Sequence, residues 1–188
     1  MRNFKLLTLF AIMFSLLVGC TTDDEGNPAV QSPIDIPTKI NNIEIPFATI
    51  EGTTLPGPIN IRLNVDFDEA IGDAVPGLGL DNVASAELVD FYVELDDSTF
   101  VGDLTAIEDM DIYVKANGPD LEEIKVAEVR GNTAADRINF GVVSNEDLID
   151  YFKADDLYLV LRDIKAGDSS LTTFTISATP VWKASFQL

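Results

Sequence analysis

From Pro58 to Asp68 the chain reads PINIRLNVDFD: Ile59, Ile61, Leu63, Val65 and Phe67 alternate with Asn60, Arg62, Asn64, Asp66 and Asp68. A period of two puts the apolar set on one face of an extended chain, which predicts a half-buried antiparallel strand over the whole stretch. Val89, Phe91, Val93 and Leu95, set against Asp90, Tyr92 and Glu94, predict a second strand of the same kind. Met110, Ile112 and Val114, set against Asp111, Tyr113 and Lys115, predict a third. Further strands are expected near residues 43–50, 123–129, 137–143, 157–164, 171–178 and 181–186. The segments VPGLGLDN, NGPD, RGNT and AGDSS separate them with turn chemistry. Pro180 interrupts the last apolar run, as at a bulge or a sheet edge.

Helical spacing appears convincingly once. Ser144 stands three residues before Asp147, and Leu148, Tyr151 and Phe152 follow at helical intervals, which predicts about two turns. Asp103–Asp109 reads as a shorter turn before the next strand. About nine strands and one short connecting helix predict an all-β fold: a single antiparallel β-sandwich with Greek-key or immunoglobulin-like connections. A flattened barrel is the alternative. Trp182, with Ala184 and Phe186, is expected in the core.

The N-terminal part follows a different pattern. Arg2 and Lys5 precede a run from Leu6 to Val18 that only Thr8 and Ser15 interrupt. The run is shorter than the roughly 20 apolar residues of a permanent membrane span. Basic start, short apolar run and small residue describe a secretory leader cut between Gly19 and Cys20. Leu17-Val18-Gly19-Cys20 resembles the lipobox of bacterial lipoproteins. That resemblance implies acylation of Cys20, an anchor without a free thiol, and localisation at the outer membrane. Asp23-Asp24-Glu25 resembles the acidic signal by which Bacteroidota-type lipoproteins reach the cell exterior. The expected organisation is a leader at 1–19, a lipidated flexible tether at 20–41 carrying Pro28, Pro33 and Pro37, and a β-sandwich domain at 42–188.

Charge then narrows the partners. The full chain has 12 basic and 32 acidic residues, a formal net charge of −20. The leader takes two of the bases and no acid, which leaves −22 on 169 residues. Such a field repels nucleic acid and anionic headgroups, so the expected membrane contact is the lipid on Cys20 alone. A protein or glycan partner stays open.

Composition also removes chemistry. The chain has no histidine and one cysteine, which excludes Ser-His-Asp and Cys-His catalysis and the histidine-based zinc patterns. It contains no phosphate-binding glycine loop. Carboxylates are in surplus, and a glycosidase needs two held about 5–10 Å apart. Asp66 and Asp68, on one face of the expected strand, would lie near 7 Å from one another by strand rise. Asp109 and Asp111 would do the same. With Glu69, the first pair is also a weak candidate for calcium, which favours clustered oxygen ligands. No cofactor is implied. Tyr92, Tyr113 and Tyr158 fall opposite the apolar stripes of their strands and would form a platform for sugar rings if those strands were neighbours. The expected function is a non-catalytic binding or structural module on the cell surface. A small carboxylate-dependent glycoside hydrolase is the alternative.

Overall fold

The computed structural model describes residues 31–46, 52–95, 103–118, 120–154, 156–167 and 173–187. Its strands are β1 (Gln31–Pro37), β2 (Ile40–Pro46), β3 (Ile59–Arg62), β4 (Val83–Leu95), β5 (Ile107–Ala116), β6 (Ile124–Val129), β7 (Arg137–Asn139), β8 (Gly141–Val142), β9 (Leu157–Ala166) and β10 (Thr173–Phe186). Two short helices, α1 (Phe67–Ala74) and α2 (Ile149–Phe152), sit between strands. One sheet runs β1–β10–β4–β7, with β2 also on β10; the other runs β3–β9–β5–β6–β8. All pairings are antiparallel. The antiparallel β-sandwich predicted from alternation is therefore the fold.

β1 and β2 lie end to end on the same side of β10, β1 against Val181–Phe186 and β2 against residues 173–178. With these two counted as one broken strand, the first strand pairs with the last, β3 with β9, β4 with β7 and β5 with β6. The chain is a long hairpin rolled over two layers, which is the jelly-roll form of the Greek key.

Pro180 sits at the break between β1 and β2. Its carbonyl accepts the Thr38 N–H at 2.9 Å, while the carbonyl of its β4 partner Phe91 accepts from Phe140. The missing proline N–H thus faces the gap in the edge strand, where no ladder bond is lost.

Three local departures from strict alternation shape the surface. First, β3 ends at Arg62, and Asp66 becomes the N-cap of α1, its carboxylate accepting the Glu69 N–H at 3.0 Å. Phe67 and Ile71, four apart, are then both buried, so the apolar residues of NVDF serve a helix rather than a longer strand. Second, β4 carries a bulge: Asp90 pairs with Val181, but Leu88 pairs with Trp182. The extra residue, Val89, points to solvent at 38% exposure, against its expected place inside. Third, the run expected over 137–143 divides at Phe140, with β7 in one sheet and β8 in the other. Phe140 packs edge-on to Phe91, ring centroids 5.0 Å apart, and fixes that crossing.

Residues 31–37, expected within the tether, join the sheet as β1. Prolines exclude a helix there but are tolerated on an edge strand, where Pro33 falls within a register shift and Pro37 ends the strand. The expected helix at 144–152 is a single turn with Leu148, not Ser144, at its N-cap, and the Asp147 carboxylate accepts the Ile149 N–H. Between the layers, Phe67 stacks on Phe152 at 4.2 Å, and Phe152 meets Trp182 edge-on at 5.1 Å. Trp182 and Phe186 are fully buried, as expected.

Candidate functional site

Gly19, Cys20, Asp23, Asp24 and Glu25 lie outside the described residues. The remaining candidates lie in one cleft and on the faces of the two sheets.

The larger cleft, about 570 Å³, opens beside the start of α1. Arg62, Asn64, Asp66 and Asp68 line it, over a floor that includes Phe67 and Phe152. Asp66 and Asp68 do share a site, although through the first turn of α1 and not through a strand face. Asp66 caps the helix, and Asp68 accepts the Leu80 N–H at 2.7 Å, tying α1 to the following turn. Arg62 forms an ion pair with Asp156, and Asp156 also accepts from the Asn117 amide. Glu69 contributes its backbone N–H to Asp66. Asp66, Asp68 and Arg62 are thus engaged in holding the fold. Among the described residues, no group of three or more His, Cys, Asp or Glu is placed to hold a metal ion.

The sheet face is the outside of β3, β9, β5 and β6. Arg62, Lys115, Lys125, Arg130, Arg162 and Lys165 lie on it or at its rim, half of the 12 bases of the chain. Asp111, only 5% exposed, receives Lys125 at 2.8 Å and Arg130 at 2.5 Å, and both cations also reach Glu128. Arg162 pairs with Glu123 at 2.5 Å and Lys165 with Glu108 at 2.7 Å. Burial works against the Lys125 ammonium, but hydrogen bonds and the charges of Asp111 and Glu128 outweigh it and raise its pKa above the ordinary lysine value. The hydrogen bond to Asp111 does the same for Arg130. Five of these six bases are thus paired with carboxylates.

The three tyrosines do not form one platform. Tyr113 and Tyr158 lie on this face, on neighbouring strands β5 and β9. Tyr92 lies on the other sheet, where the Arg137 guanidinium covers its ring at 3.5 Å. The fourth tyrosine, Tyr151, is buried and donates to the Glu122 carbonyl at 2.5 Å. Burial, followed by the charges of Glu122 and Glu146, pushes its phenol above the ordinary tyrosine pKa.

The smaller cleft, about 370 Å³, runs between β4 and the segment after β8. Glu87, Leu88, Val89, Val142, Val143, Ser144 and Asn145 line it. Among the described residues, Val89, Val142 and Val143 are the large hydrophobic side chains left exposed, and all three meet here. Alternation alone misses this site. The signal for it is the doublet Leu88-Val89: in a strand of period two, adjacent apolar residues cannot both face the core.

No family model matches the chain, and no curated protein matches it. Among solved structures it is similar to that of Desmodium yellow mottle tymovirus, at 13% identity and a TM-score of 0.27, covering 86% of this chain and 92% of that one. The empty head of turnip yellow mosaic virus gives 11% identity and a TM-score of 0.23, with 91% and 90% covered. A second turnip yellow mosaic virus structure gives 12% and 0.23, with 84% and 96% covered. Likenesses this distant carry no argument about function.

Proposed function

We propose that the protein is an outer-membrane lipoprotein, held by acyl chains on Cys20 and displayed on the cell exterior, whose jelly roll is a non-catalytic binding module. The observation that carries the anchor is Leu17-Val18-Gly19-Cys20 at the end of a short apolar run with a basic start. Three acyl chains on one residue bind far more durably than the single chain that gives only reversible attachment. Binding is favoured over hydrolysis because Asp66 and Asp68, the paired carboxylates of the larger cleft, hold backbone N–H groups. The partner contacts the domain at its surface, and the acyl chains keep the domain at the membrane.

Fractionation tests the anchor. Cys20→Ala should move the protein from the detergent-extracted membrane fraction to a soluble or uncleaved form. Continued cleavage after Gly19 with membrane retention would refute the lipobox. Replacing Asp23, Asp24 and Glu25 with Ala should leave acylation intact and reduce protease accessibility on whole cells. Unchanged accessibility would remove the role assigned to the acidic run.

A further inference from the structure

Asn117 follows the last residue of β5, and Asp156 precedes the first residue of β9. The Asn117 side-chain amide donates to the Asp156 carboxylate at 2.9 Å, and the Asn117 N–H donates to the Asp156 carbonyl at 3.1 Å. The second bond extends the β5–β9 ladder one residue past the pair of Ala116 and Leu157. Asp156 also holds Arg62, which lines the larger cleft. One side-chain amide therefore helps to join two strands and to steady a cleft wall.

Asn117 is also the one asparagine of the chain that precedes glycine. Both residues are exposed and lie in a bend outside the strands. Among the described residues the Gly118 N–H donates to no acceptor. Without a Cβ, Gly118 leaves its nitrogen unobstructed and its backbone free to turn toward the Asn117 side chain. After every other asparagine comes a residue with a Cβ, which crowds the same nitrogen.

We propose that Asn117 is a site of spontaneous deamidation, which loosens the join between β5 and β9 as the protein ages. The Gly118 nitrogen gives up its proton and attacks Asn117 Cγ. The new N–Cγ bond closes a succinimide ring, and the Cγ–Nδ2 bond breaks to release ammonia. Water then opens the ring at either carbonyl, leaving aspartate or isoaspartate. The sum is an amide and water going to an acid and ammonia, with nothing oxidised or reduced. Either product removes the amide donor and sets a second carboxylate against Asp156. Like charges at hydrogen-bonding distance repel. Isoaspartate also lengthens the main chain leading to β6 by a methylene. Neither step needs the lipid anchor or a bound partner.

The test incubates the full chain in detergent at mildly alkaline pH, digests it with trypsin and weighs the peptides. The tryptic peptide 116–125 contains Asn117 and no other asparagine. It should gain the mass of an amide-to-acid change, with isoaspartate among the products. It should do so at least about tenfold faster than any other asparagine peptide, a barrier difference of about 1.4 kcal/mol. The rate should rise with pH, because the attacking nitrogen must lose its proton. Asn117→Gln keeps an amide but would need a larger ring, and should abolish the reaction. Conversion no faster than elsewhere, a product free of isoaspartate, or an equal rate in Asn117→Gln would overturn the proposal. Asn117→Asp supplies the product's charge directly, and the N–H at position 117 should then exchange with deuterium several-fold faster. Adding Asp156→Asn restores an amide against a carboxylate and should slow that exchange again. Unchanged exchange in Asn117→Asp, or no recovery in the double variant, would overturn the loosening.

Discussion

The two clefts differ in a way that volume hides. The one at α1 is larger and holds two carboxylates, a guanidinium and an aromatic floor, yet its carboxylates and guanidinium already have partners within the protein. The one at β4 is smaller and poorer in chemistry, but it exposes three valines. A group engaged in its own fold cannot bind a ligand without first giving up that contact. The smaller cleft is therefore the better candidate for recognition, and the larger is a buttress.

The largest effect should come from the buttress floor. Phe152→Ala removes the ring stacked between Phe67 and Trp182 and should cost about 3–5 kcal/mol in chemical denaturation. A loss under about 1 kcal/mol would show the floor to be adaptable, and would restore the larger cleft as a ligand site.

A smaller effect tests its rim. Asp68→Ala should lose about 1.5 kcal/mol through the Leu80 N–H. Gly79 has an extended backbone, so its glycine is required by space: a Cβ there would collide with the Asp68 carboxylate. Gly79→Ala should therefore destabilise the native chain but cost less beside Asp68→Ala, with a coupling of at least about 0.5 kcal/mol. Strict additivity would mean that Asp68 is not held against this turn and is available to a ligand.

The smallest effect belongs to the cleft at β4. Val89→Thr should change stability by no more than about 0.5 kcal/mol, since its side chain faces solvent on a bulge. A loss above about 2 kcal/mol would place Val89 in the core and close that cleft.

These differences also mark where the sequence is legible. Alternation located β4 and β5, where Phe91 and Val93, and Ile112 and Val114, are buried on either side of the less buried Tyr92 and Tyr113. It overran at Val65 and Phe67, since Phe67-Ile71 of a short helix and Phe67 of a strand look alike until the cap at Asp66 is seen. It missed β1 because Pro33 and Pro37 exclude a helix without excluding an edge strand. It assigned Val89 inward because a bulge inserts one residue and shifts the phase, leaving only the Leu88-Val89 doublet as a trace. The carboxylate pair of the α1 cleft was visible as residues; that each accepts a backbone N–H depends on a turn that composition does not show. Beyond that doublet the cleft at β4 leaves no mark in the sequence, because it arises where Phe140 carries the chain from one sheet to the other.

The pairing of β1 with β10 has a mechanical consequence. Gln31 stands opposite Phe186, and β10 in turn lies beside β4, so strands join the point where a tether to Cys20 would enter to the strand that lines the smaller cleft. Ladder hydrogen bonds run across the strands. Tension entering at Gln31 along the axis of β1 therefore loads them side by side, in shear, and they resist together instead of peeling one after another. A jelly roll pulled at this strand shares the load between two ladders, with the core aromatics Trp182 and Phe91 on the load path.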